Sequence, residues 1–116
     1  MRKLNLENYT VKVRQPDPMK LGEMIDAEMP YNFKDSILNL LFYKDLELDG
    51  FELVRQNILA TKIETCKASE VLLEEDEYQR VKRAVAVFKG FNRHDVELVT
   101  RVNEAAEIEV EPVKDK

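Results

Sequence analysis

The chain has 116 residues, 44% of them hydrophobic and 35% charged, with a formal net charge of -5, one cysteine and one histidine. That length suits one domain able to bury about two-thirds of its unfolded surface without a staple, and a single cysteine excludes an internal disulfide framework or a cysteine zinc site. The acidic balance argues against general polyanion binding; with no run of about 18 apolar residues and no apolar h-region after Met1, a soluble cytoplasmic protein with no membrane partner is expected.

Met1 to Asn8 sets Leu4 and Leu6 among charged residues, as an arm or short edge strand. Tyr9, Val11 and Val13 then alternate with Thr10, Lys12 and Arg14, the pattern of a strand. Pro16, Asp17 and Pro18 stop it, because proline lacks the ladder donor and restricts its predecessor. Met19 to Met29 fits neither period well. An extended return segment paired with Tyr9–Arg14 is expected, since a lone strand leaves its backbone unsatisfied, and Pro30 ends it.

Asn32 or Asp35 opens a core helix to about Tyr43, with Ile37, Leu38, Leu40, Leu41 and Phe42 in a wide apolar arc. Lys44 to Asp49 links it to a longer helix, Asp49 to Cys66, around which the chain is expected to be organised. Val54, Ile58, Thr61 and Thr65 line one side, extended by Leu53 and Ala60, and Leu59, Ile63 and Cys66 line another. Arg55 and Lys62 lie between them with stems over apolar neighbours and heads in water, so this helix is expected to be contacted from two directions. Asp49 caps it, with Glu52 at the capping-box position.

Val71, Leu72 and Leu73 read as a connector docked on the core. Glu74 to Lys89 is a helix with Tyr78, Val81, Ala84, Val85 and Phe88 in one stripe, and Gly90 suits the positive φ that follows a helix. Asn92 caps the last helix and Asp95 completes its capping box. Its apolar side is Val96, Leu98, Val99, Val102, Ala105 and Ala106, where it ends. The expected fold is α+β: an N-terminal β-hairpin packed on a bundle of about four helices. It forms one domain over residues 1–106, and an acidic flexible tail occupies 107–116.

No constellation in this order supports catalysis. Glu74, Glu75, Asp76 and Glu77 open a helix, where the dipole favours acids, and consecutive carboxylates lack the spaced ligands of a calcium or magnesium loop. His94 beside Asp95 has no nucleophile or pocket to serve and reads as a solvated histidine; Cys66 has no oriented base and reads as a buried thiol. Gly22, Gly50 and Gly90 are too far apart for a phosphate-cradling loop. The chain is therefore expected to be non-enzymatic, with no cofactor and no metal.

Two groups of residues are candidates for recognition. Arg80, Lys82 and Arg83 lie opposite the third helix's stripe, Arg93 and Arg101 on the polar side of the fourth, and Lys12 and Arg14 on the outer face of the strand. If adjacent, these residues form an anion-facing patch for phosphates or an acidic protein. Glu97 and Glu104 on the same side of the fourth helix fit a mixed charged solvent face instead. Met19, Met24 and Met29, with Ile25, form the second group. Soft methionines suit either core filling or a partner surface, and an extended edge there can add a strand to another chain.

The succession YNFKDSILNLLFYKDLELDGFELVRQNILATKIE, then VLLEEDEYQRVKRAV, then FNRHDVELVTRVNEA, resembles small uncharacterised proteins encoded by tailed bacteriophages over Tyr31 to Ala106. The resemblance implies a phage accessory protein made in the bacterial cytoplasm, joining a virion or acting on a phage or host partner, and assigns no residue a role. Together with the residues, it leads to the expectation of a non-catalytic protein–protein interaction or assembly module. That module would be homo-oligomeric or bound to another phage or host protein; the alternative is a nucleic-acid-associated regulatory factor using the basic patch.

Overall fold

The computed structural model describes residues 1–108. In chain order it contains β1 (Arg2–Asn5), β2 (Tyr9–Pro16), β3 (Met24–Tyr31), α1 (Phe33–Leu41), α2 (Gly50–Thr65), β4 (Glu70–Leu73), α3 (Glu75–Val87), α4 (Val96–Asn103) and β5 (Ala106–Glu107). Single 3-10 turns at Lys44–Leu46 and Arg93–Asp95 precede α2 and α4. The class is α+β, and the strands fall into two separate sheets.

The first sheet belongs to the body. β1 is its central strand, antiparallel to β4 on one side and β5 on the other. Leu4, with Val71 opposite it, and Leu73 point into the core, and Leu6 is buried just beyond the strand. Two expectations are corrected here. The N-terminal stretch is a central rather than an edge strand, and Val71–Leu73 is a strand rather than a connector; the apolar residues of both short segments meet only through long-range pairing, which local pattern does not reveal. The tail boundary shifts as well, because Ala106 and Glu107 pair with Lys3 and Arg2 instead of ending a helix or beginning a tail. Residues 109–116 of the expected tail lie outside the described residues.

Against this sheet pack the helices; α1 and α2 start at the caps their sequence signals, whereas Asn92, expected to cap the last helix, caps the 3-10 turn before it and α4 begins at Val96. The Asn32 side chain accepts from Asp35 N at 3.1 Å, Asp49 accepts from Glu52 N at 2.8 Å, and Glu74 with Glu77 closes a capping box on α3. These bonds satisfy donors that a helix start otherwise leaves orphaned. α1 buries Phe33, Ile37, Leu40 and Leu41; α3 buries Tyr78, Val81, Ala84 and Val85; α4 buries Leu98 and Val102. Tyr78 is polar only at its tip, and its hydroxyl donates to Val102 O at 2.6 Å, so the ring is buried without an unmet polar atom.

α2 departs from its expected role. One stripe is buried, Gln56, Leu59, Ala60 and Ile63, and the opposite side faces solvent, with Phe51 67%, Val54 60% and Ile58 57% exposed. The two-sided apolar pattern is real, but only one side is buried by the described residues. Gln56 joins α2 to its surroundings: its amide donates to Leu41 O at 3.0 Å and its carbonyl accepts from Arg80 at 3.2 Å. Arg55 lies over the Phe51 ring at 5.1 Å, and Lys62 pairs with Glu77 at 2.7 Å.

The second sheet is the β2–β3 hairpin, paired from Tyr9↔Tyr31 to Pro16↔Met24 and closed by Asp17 N donating to Glu23 O at 2.8 Å. Gly22 at φ 82° makes the reversal, a backbone state that glycine enters without steric cost. The return strand runs from Met24 through Pro30 to Tyr31, so Met19 belongs to the turn and Pro30 lies inside the strand. The expected packing of this hairpin on the helices holds only near its root: Tyr9 and Tyr31 pack on the core and Lys12 meets His94, while beyond that β2 and β3 contact chiefly each other among the described residues. The radius of gyration, 17.6 Å, accordingly exceeds the about 13 Å of a compact 100-residue domain.

Candidate functional site

The hairpin arm is organised from its root outward. Tyr9 and Tyr31, opposite each other in the ladder, stack at 4.5 Å between centroids and 15° between planes. Both hydroxyls end on the turn before α4: Tyr9 donates to His94 O at 2.8 Å and Tyr31 to Asp95 Oδ1 at 2.5 Å. The other Asp95 oxygen accepts from Asn92 N at 2.9 Å in that turn's capping box. One carboxylate thus fixes both a helix start and the arm.

His94 reaches the same joint. Its Nε2 lies 3.1 Å from Lys12 O, and because a carbonyl only accepts, that nitrogen carries the proton. The histidine expected to be merely solvated instead tethers the arm. Arg101 stacks over Tyr9 at 5.1 Å and Phe33 at 4.9 Å, donates to Glu7 O at 2.5 Å and pairs with Glu97 at 2.6 Å. Burial raises the Tyr9 and Tyr31 hydroxyls above the usual tyrosine range; for Tyr31 the bond to Asp95 adds to the effect. Both remain neutral donors at ordinary pH.

Beyond the root, register decides chemistry, because directly opposed residues share a face. Val11 faces Met29, Val13 faces Ala27 and Gln15 faces Ile25, giving one side without a charge. On the other side Lys12 faces Glu28 and Arg14 faces Asp26, charges of opposite sign. The arm is amphipathic, and most of its apolar side is open: Met29 is 46% and Ile25 37% exposed, Val13 and Ala27 are half-buried, and Val11, nearest the root, lines a cleft with His94 and Val96.

The four residues singled out from the sequence are therefore divided. Ile25 and Met29 lie on the apolar face, Met24 lies opposite Pro16 on the other face, and Met19 is exposed in the tip turn beside Leu21. Val11, Val13 and Ala27 complete the surface, and the signal for them was the alternation of β2 read together with the register of β3. Pro16 and Pro30 lack the N–H that an incoming strand needs, so the arm is better suited to docking by its face than by its edge.

The basic residues do not form one free patch. Arg80 is bonded to Gln56, and Arg83 donates to Leu46 O at 3.2 Å in the cleft between α2 and α3. Lys82 lies 6.0 Å from the Tyr78 ring, Arg101 is held at the arm root, and Arg93 sits in the turn before α4 near Lys12. Cys66 is half-buried with its Sγ 3.5 Å from Glu70 O. Among the described residues no helix is long and apolar enough to cross a membrane. Compared with protein-family models, curated proteins and solved structures, the chain matches none.

Proposed function

We propose that the chain is a non-catalytic interaction module that assembles with further copies of itself through the β2–β3 arm. The observation that carries this reading is an uncharged apolar face on a hairpin that is fixed at its root and, beyond it, left open by the described residues. A two-stranded ribbon is at best marginal in water by itself, so a surface that covers the arm stabilises both the contact and the ribbon. A role as a phage accessory or assembly protein, the context implied by the sequence resemblance, is compatible with such a device.

A nucleic-acid role draws less support. Arg80, Arg83 and Arg101 bind groups of their own chain, and from Tyr9 to Tyr31 three basic residues are set against four acidic ones, a poor arrangement for phosphates. The test is the mass in solution by gel filtration with light scattering, for the wild type and for Ile25→Glu with Met29→Glu. A defined oligomer that dissociates in the variant is expected; a strict monomer at high concentration, with no partner retained, defeats the reading.

A further inference from the structure

The arm is not the only apolar surface that the described residues leave bare. On α2, Phe51, Val54 and Ile58 continue along the helix into Thr61 and Thr65, all exposed and none charged. From Phe51 to Thr65 this strip runs about 21 Å at 1.5 Å per residue. Of the flanking charges, Lys62 pairs with Glu77, and Arg55 lies over the Phe51 ring at the N-terminal end of the strip, so its uncharged part runs from Val54 to Thr65. In a chain that is 35% charged, an uncharged strip this long on the outside of a helix needs a partner.

We infer that the exposed strip of α2 receives the apolar face of the β2–β3 arm from a second copy of the chain, each arm lying across the partner's helix. The inference rests on the proposal that the arm mediates self-association, and specifies what the arm meets. Area is the first argument. Val11, Val13, Ile25, Ala27 and Met29, each worth ~60–120 Å² when fully exposed and here partly shielded by one another, offer on the order of 300 Å². A stable interface needs about 800 Å² per partner. An arm face alone falls short, whereas adding Phe51, Val54 and Ile58 brings the apolar part to about 500 Å² per protomer, the apolar share of an interface of standard size.

Shape is the second argument. The uncharged face of the arm, from Val11 and Met29 to Gln15 and Ile25, is about 14 Å long and two strands wide. A single helix about 10 Å across covers such a ribbon, and helix on sheet is a standard way to bury both faces. A two-fold axis makes the arm-to-helix contact twice and leaves neither surface in water. Arms packed only on arms leave α2 bare, and helices packed only on helices leave the arms bare.

The decisive experiment uses the full chain in a Cys66→Ser background. One copy carrying Val13→Cys and one carrying Ile58→Cys, differently tagged, are co-expressed, purified together and treated with a short bismaleimide. The expected main product is the mixed arm-to-helix dimer. Arm-to-arm or helix-to-helix products in its place, or no cross-linking at concentrations where the oligomer forms, overturn the inference. Ile58→Lys gives an independent reading, since the side chain is already solvent-facing: unchanged circular dichroism with at least tenfold weaker association is expected. Association that survives Ile58→Lys but is lost in Met29→Glu overturns the α2 contact and leaves the arm reading standing, whereas a monomeric wild type overturns both.

Discussion

β1 with β4 and β2 with β3 are both antiparallel pairs, yet the shorter pair is the buried one. Four-residue strands at Arg2–Asn5 and Glu70–Leu73 place Leu4, Val71 and Leu73 at 5% exposure or less, while eight-residue strands at Tyr9–Pro16 and Met24–Tyr31 bury no residue fully. The difference is not in pairing or length. It lies in what stands over the apolar face: the helices cover β1 and β4, and beyond the root no described residue of the body covers the arm. An alternating pattern therefore states that a face needs cover without saying which molecule provides it.

Core truncation gives the widest contrast between the two pairs. Leu73→Ala is expected to cost about 2–5 kcal/mol through lost transfer energy and the cavity left behind, read from urea unfolding followed by far-UV circular dichroism; a loss under about 1 kcal/mol would mean that the β1–β4 face is not the tightly packed one. Amide exchange probes the same contrast without mutation. In dilute monomer, amides beyond Val11 should exchange much faster than those of β1 and β4, and oligomerisation should slow them; equal protection of both pairs at low concentration removes the distinction.

A smaller effect is expected at Gln56, 2% exposed. Gln56→Leu keeps the bulk but strips the partner from Leu41 O and from Arg80, costing about 1–3 kcal/mol. A neutral result in the same unfolding assay would show that the body tolerates loss of this polar link between α1, α2 and α3.

The arm root should respond to alkali. The folded-state values of Tyr9 and Tyr31 lie above the unfolded value of about 10, so their contribution is full below pH ~10 and is lost as pH rises through the folded values, when the unfolded chain ionises first. Thermal stability should fall above pH ~10, and Tyr31→Phe should flatten that fall while costing about 1 kcal/mol at neutral pH for the bond to Asp95. An identical alkaline slope in the variant would remove Tyr31 from the explanation.

The smallest change is expected on the arm itself. Val13→Ala, at a half-buried site whose ladder partner is only Ala27, should alter monomer stability by no more than about 0.5 kcal/mol, the range of surface substitutions, and weaken association instead. A large loss in the monomer would mean that the arm is packed on its own body after all.

Much of the fold was legible because it is local. Asn32 and Asp49 cap within three residues of themselves, the stripe Tyr78, Val81, Ala84 and Val85 follows helical period, and Tyr9 to Val13 follows strand period. The candidate site was less so. Methionines five residues apart were grouped by type, but the register sends Met24 and Met29 to opposite faces, and register depends on the turn and the partner strand. His94 read as solvated because its contact, Lys12 O, lies 82 positions away.

By itself, then, the sequence determined where α1, α2 and α3 lie and that Tyr9 to Arg14 is a strand, because backbone sterics, capping bonds and periodicity act over a few residues. Only the tertiary structure decided that β1 is central, that α2 buries one of its two apolar sides, and that the arm stands clear of the body. Burial belongs to two surfaces at once, and the hydrophobic effect that selects them is non-directional; which surfaces meet depends on contacts between segments far apart in the chain.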